Sequence, residues 1–284
     1  MSKSIRFITD ALDHKFHEYL FLASLTFLSI CWSGFASAEN KCSEWEITLP
    51  KNIKIERAMF DAYVSRNLFI IGEGGNGVFL YDIPEKRLRQ IYYARVVTDS
   101  VEQTSINTLR FELFYKRGVF AEIDIYQTQK MAKMSEAEDI CHTKNGRLFC
   151  QMENQQREIF PFLGKPDIYR FSKDSNLLLF SNKGSGGYVY GTKTKEVAKL
   201  GFGEDFKFVN DYDIIFVNNS KVNDRCTNSY IHYWLNSAID TFIVHREKDA
   251  CIRYPDANKT DLIFIKNNKL FKCPLDLMNA VMER

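Results

Sequence analysis

Cys226, His232, His245 and Cys251 stand at mirrored positions about residues 237–240, and thiolate with imidazole is the donor set of a zinc site. Their spacing argues against that chemistry. If residues 230–235 and 241–246 pair as a hairpin, the histidines lie six residues along the strands from the cysteines, roughly 20 Å at strand rise. A zinc ion holds its ligands within about 2.3 Å. No metal site is expected, and the two cysteines are read as a disulfide.

The segment Gly72-Glu73-Gly74-Gly75-Asn76-Gly77 has the composition of a phosphate cradle. Such loops need a helix whose N-terminus faces the anion, and here a strand pattern follows. A structural turn is expected, with no bound cofactor. His142, His232 and His245 fall in strand-like sequence, where a packed ring is the ordinary role. Neither Gly-x-Ser-x-Gly nor His-Glu-x-x-His occurs. Asp61, Asp99, Asp174, Asp205 and Asp211 stand near strand ends, where carboxylates cap turns. Two of them about 5–9 Å apart in a channel would form a glycosidase couple, but no spacing selects a pair, so no catalytic residue is expected. The basic runs Lys86-Arg87-Leu88-Arg89, with Arg95, and Lys193-Thr194-Lys195 are read as solvated outer strands.

The elements that carry these residues recur. The stretch from Asn67 to Ile91 aligns without a gap against Asn176 to Leu200, with identities at Asn67/Asn176, Leu68/Leu177, Gly75/Gly184, Gly77/Gly186, Tyr81/Tyr190 and Lys86/Lys195. Each copy reads as apolar strand, glycine-rich turn, aromatic strand, polar turn and third strand. A sheet of this size cannot bury both of its own faces, so its repetition predicts an array. Further apolar strands centre near residues 112, 215 and 264. Their intervals match propeller blades of about 40–50 residues, except one longer by about a third. The excess lies around residues 130–160, where an extra hairpin or a degenerate unit is expected. The runs at residues 68–71 and 177–180 are continuously apolar, as strands covered on both faces are.

Residues 1–19 carry Lys3, Arg6 and Lys15, residues 20–32 are apolar, and Ala36-Ser37-Ala38 follows. That order is a secretory leader, and cleavage is expected after Ala38. As an uncleaved anchor, residues 20–38 would make a helix of about 28 Å, barely a bilayer core. The expected organisation is a leader over 1–38 and a single domain over 39–284, periplasmic or extracellular and free of the membrane after cleavage. A net charge of +2 gives no electrostatic case for nucleic acid. Of seven cysteines Cys31 lies in the leader, leaving six, an even count that points to disulfides in an exported chain.

Two pairings follow from register. The Asn145-Gly146 hairpin signal sets Cys141 opposite Cys150, and a non-hydrogen-bonded pair at about 4.5 Å is within disulfide reach. Cys226 and Cys251 flank the long hairpin. The third pair closes the ring: residues 45–49 alternate as a strand that can complete the last unit, with Cys42 just before it and Cys273 just after the final strand. The expected fold is thus all-β and propeller-like, about five blades with one enlarged or degenerate, closed by the N-terminal strand. Equivalent turns of different blades share a face, so Glu73, Asn76, Lys183 and Ser185 are expected to meet a partner. The expected function is a non-enzymatic module that binds another exported protein. A glycan hydrolase and a structural subunit of an envelope complex are the alternatives.

Overall fold

The structure, a computed structural model, describes residues 42–277 apart from 65, 128–130, 137–140, 146, 153–154, 161–167, 173, 183–185, 210–211 and 276. β1 (Ser43–Glu44) opens the described chain. The first sheet runs in sequence order through β2 (Ile55–Phe60), β3 (Asn67–Gly72), β4 (Asn76–Asp82) and β5 (Arg87–Arg95). The second is β6 (Glu102–Ser105), β7 (Thr108–Glu112), β8 (Val119–Asp124) and β9 (Met131–Glu136). A three-stranded sheet follows, made of β10 (Cys141–Lys144), β11 (Arg147–Met152) and β12 (Gln155–Phe160). The fourth is β13 (Ile168–Phe171), β14 (Leu177–Asn182), β15 (Gly186–Gly191) and β16 (Val197–Gly201). The fifth is β17 (Glu204–Phe208), β18 (Ile214–Val222), β19 (Arg225–Leu235) and β20 (Asp240–Lys248). The sixth joins β21 (Ile252–Ala257), β22 (Asp261–Lys266) and β23 (Lys269–Pro274), and takes β1 as its outermost strand.

Among the described residues apolar cores join five of the six successive pairs of sheets, all but the second and third, and this makes the six a propeller ring. Along β3, Phe69 and Ile71 pack toward Leu109, Phe111 and Ile123 of the second sheet. Leu68 and Ile70 between them pack toward Ile263 and Ile265 of the sixth. Along β14, Leu178 and Phe180 meet Leu148 and Ile159 of the third sheet, while Leu179 meets Phe216 and Trp234 of the fifth. Alternate side chains leave opposite faces of a strand. Continuous apolar runs therefore arise because each blade has a neighbour on both sides. Ile215 and Ile231 pack on Leu262 and Phe264 to join the fifth sheet to the sixth.

There are six blades where about five were expected. The extra unit is the third sheet, within the over-long interval. Its central strand β11 has only the three-residue apolar run Leu148-Phe149-Cys150, which is why apolar periodicity passed over it. The ring closes through the N-terminus, but by an earlier segment than residues 45–49. Ser43 and Glu44 pair with Lys272 and Phe271, and Trp45 N–H donates to Leu270 O at 2.8 Å. Trp45, Ile47 and Leu49 then pack on the core between the first and sixth sheets. Those three side chains go to burial, and the backbone leaves the ladder.

Disulfides join Cys42 to Cys273, Cys141 to Cys150 and Cys226 to Cys251, with Cα separations of 4.3, 4.0 and 5.2 Å. Cys141 and Cys150 are direct cross-strand partners.

The two copies of the repeat share backbone conformation as well as residues. Gly77 and Gly186 have φ of +83° and +91°, and Lys86 and Lys195 both lie in the left-handed region at +51° and +62°. At Gly75, φ is +73° and an added Cβ would overlap the Val96 carbonyl oxygen, which accepts no displacement because Val96 N–H is bonded to Gly75 O at 3.0 Å. Gly75→Ala is expected to cost about 2–3 kcal/mol, combining left-handed strain with overpacking. Urea unfolding of the two proteins measures it.

Candidate functional site

The glycine-rich turn of the first sheet presents Glu73 and Asn76 to solvent. Lys183 and Ser185, in the same turn of the second copy, lie outside the described residues. The turn is held by backbone and buried groups: Glu56 accepts from Gly75 N–H at 3.1 Å, and Arg95 Nε donates to Gly74 O at 2.8 Å. Beside it lies an aromatic cluster that the sequence reading did not single out. Tyr93 is 57% exposed, Phe114 42% and Tyr115 74%. Phe114 and Tyr115 meet edge to face at 5.2 Å, and the Arg95 guanidinium stands 4.1 Å over the Phe114 ring. The signal was available in Phe114-Tyr115, two large aromatic residues in a hairpin turn just before Lys116-Arg117-Gly118.

The second feature is a cavity of about 1150 Å³ at the centre of the ring. The first strands of five blades bring one charged side chain each to it: Arg57 from β2, Glu102 from β6, Arg170 from β13, Lys207 from β17 and Asp256 from β21. Lys207 Nζ forms a buried ion pair with Asp256 Oδ2 at 2.6 Å. Burial nonetheless outweighs that partner and pulls the Lys207 ammonium down to about 8, with the Arg57 charge adding to the depression. Asp256 Oδ2 also accepts from Phe60 N–H at 2.8 Å.

Of the carboxylates named from sequence, Asp99 and Asp205 come together around Tyr254, and the Asp99 charge adds to the rise of Asp205. Asp61 lines the cavity, but accepts from Tyr63 N–H, Val64 N–H, Gln103 and Asn67 at 2.9–3.2 Å. Asp174 caps its turn, accepting from Ser172 Oγ and Asn176 N–H, and the Ser172 hydroxyl foremost holds its carboxyl down near 2. Burial raises Asp205, which accepts from Tyr254 N–H at 2.8 Å. Asp99 sits on the turn Thr98–Ser100, and Asp211 lies outside the described residues.

The three histidines are packed rings. His142 stacks on Phe149 at 5.8 Å, His232 on Phe216 at 4.9 Å and His245 on Phe264 at 4.8 Å. A bulge at Ile231/His232 sets His245 opposite Ile231. The two histidines are therefore not the cross-strand pair that the mirrored spacing suggested, and they pack against different blades. His245 Nδ1 instead lies 3.5 Å from Cys42 Sγ. Cys42, His245 and Cys273 bring their ligand atoms within 4.8 Å of one another, but both sulfurs are spent in a disulfide and offer no thiolate.

Burial lowers His232 from 6.5 to about 4. In that window the unfolded chain binds a proton that the folded one refuses, so stability falls as pH drops from about 6.5 to 4. The loss from this group is about 3 kcal/mol. His232→Phe, which keeps the stack on Phe216, is expected to flatten that acid limb in urea-unfolding midpoints measured across the window.

No protein-family model matches this sequence, and no curated protein matches it. Among solved structures, TolB from Acinetobacter baumannii is similar at a TM-score of 0.39 and 11% identity, over 80% of this chain and 56% of that one. A chain of a mitotic checkpoint complex is similar at a TM-score of 0.45 and 8% identity, over 82% of this chain and 76% of that one. This chain thus spans little more than half the length of the TolB chain. Its assignment as a six-bladed propeller rests on its own sheet order, register and inter-sheet cores.

Proposed function

We propose that this chain is an exported, non-enzymatic module that docks another exported protein on the face of its glycine-rich turns, in an inhibitor or immunity-type role against an exported enzyme or toxin. The observation that supports the docking face most is the exposure of Tyr93, Phe114 and Tyr115 near Glu73 and Asn76, with half-buried Arg95 stacked over Phe114. Tyrosine and arginine dominate the energetic centres of protein interfaces, where a large flat side chain loses little conformational entropy on burial. Three disulfides favour an oxidising compartment, and the leader over residues 1–38, cleaved after Ala38, supplies the route. Among the described residues no helix is long and apolar enough to cross a membrane. A glycan hydrolase draws less support, because Asp61 and Asp256 at the cavity are already engaged by turn groups and by Lys207.

The test is affinity capture from the exported fraction of the source cells with the oxidised protein and with Tyr93→Ala/Tyr115→Ala. A stoichiometric protein held by the first and lost by the second supports the proposal. Equal capture by both removes this face from it.

A further inference from the structure

We propose that the central cavity binds a small organic oxyanion, a carboxylate or a phosphate monoester with an apolar body, between the guanidinium groups of Arg57 and Arg170. Two tethers place these groups side by side. Arg57 Nη1 donates to Thr98 O at 2.6 Å, and Arg170 Nη2 donates to Asp99 O at 2.8 Å. Adjacent carbonyls of one short turn thus hold guanidinium groups that come from the first and fourth blades.

Each guanidinium carries five N–H donors in a planar fork suited to two oxygens of one anion. Among the described residues, no carboxylate lies within ion-pair distance of either. Arg57 is only 5% exposed. Burial first and the Arg170 charge second pull its pKa below the ordinary value, against the opposing pull of Asp99 and Asp256, so a buried guanidinium stands near a second, half-buried one of like charge. An oxyanion between them satisfies the remaining donors and offsets the repulsion. Lys207 is committed to Asp256, Asp61 is occupied by hydrogen bonds from its own turn, and Asp213 accepts from the Tyr233 hydroxyl and Asn236 N–H.

The remaining wall sets the rest of the ligand. Met59, Phe60, Phe171 and Phe208 line the cavity, and its volume exceeds what a bare ion fills, so an apolar body is accommodated beside the anionic head. Glu102 on the same wall disfavours a highly charged polyanion. β2 begins beside the glycine-rich turn, where Glu56 meets Gly75, and ends at Phe60. The cavity is lined along β2 from Arg57 to Phe60, together with Ser172, Val209 and Asn258, and none of Glu73, Asn76, Tyr93, Arg95, Phe114 and Tyr115 lines it.

The test is calorimetric titration of the full oxidised chain with phenyl phosphate, with phenylacetate and with neutral 2-phenylethanol. One equivalent of at least one anion is expected to bind, and the tighter of the two identifies the head group as phosphate or carboxylate. Arg170→Gln is expected to weaken that binding by about tenfold or more. Arg170→Lys, which keeps the charge and loses the fork, is expected to fall between, while Tyr115→Ala on the docking face leaves it unchanged. The proposal is overturned if neither anion binds more tightly than 2-phenylethanol, or if Arg170→Gln binds as the unaltered protein does.

Discussion

Replacing Cys42 and Cys273 by serine is expected to cost more stability than removing either other disulfide. Cross-linking removes loop-closure entropy from the unfolded chain, and the effect grows with the logarithm of the loop. The Cys42–Cys273 bridge spans 231 residues of sequence, against 25 for Cys226–Cys251 and 9 for Cys141–Cys150. The same relation gives about 5, 3.5 and 2.5 kcal/mol in turn. The longest loop is also the one that closes the ring. β1 makes only a two-residue pairing with β23, too short to hold the sixth blade shut by its ladder alone. Without the bridge β1 frays, and the edge of β23 becomes available for intermolecular pairing. Urea unfolding of the three double-serine variants gives the order directly. Aggregation is expected first in the Cys42/Cys273 variant.

Asp256→Ala is expected to destabilise by about 3–5 kcal/mol, the range found when one member of a buried ion pair is removed. Lys207 Nζ would lose its 2.6 Å partner while remaining between Arg57 and Arg170. Phe60 N–H would lose its acceptor in the same step, a buried donor worth about 1–3 kcal/mol when left unmet. Lys207→Met in the same chain is expected to recover much of the loss, because it removes the uncompensated charge and fills similar volume. A double-mutant cycle on unfolding free energies isolates that coupling, and additivity of the two changes would contradict the buried pair. In Lys207→Met alone, Asp256 is the group left unpaired, so that variant is also expected to be less stable than the parent.

The parts of this molecule that were legible in its sequence are those set by local chemistry. Gly77 and Gly186 mark the same turn because both need positive φ, and the run Leu68–Ile71 announces a strand with neighbours on both faces because all four residues are buried. The Asn145-Gly146 signal set Cys141 against Cys150, which are partners in the ladder. The third blade was passed over because its central β11 carries only Leu148-Phe149-Cys150 where most other blades carry a longer apolar run, with the Cys141–Cys150 disulfide in its core. The bulge beside His232 was equally hidden, since one inserted residue changes register without changing composition.

The central cavity was illegible for another reason. Arg57, Arg170, Lys207 and Asp256 come from four blades and lie far apart in the chain, and in its own strand each charge reads as an ordinary solvent-facing residue. Only closure of the ring turns them inward together. The local trace is small: in Asp205-Phe206-Lys207-Phe208 the lysine is flanked by aromatic residues on the first strand of a blade, which is where a propeller places its channel wall.

Site-specific photocrosslinking in the source cells tests the docking face most directly. A photoreactive residue at Tyr115, 74% exposed beside the glycine-rich turn, is compared with one at Ile106, 51% exposed in the β6–β7 turn at the other end of the strands. The account predicts one discrete crosslinked exported protein from position 115 and none from position 106. A crosslink from 106 alone, or no crosslink from 115, would contradict it.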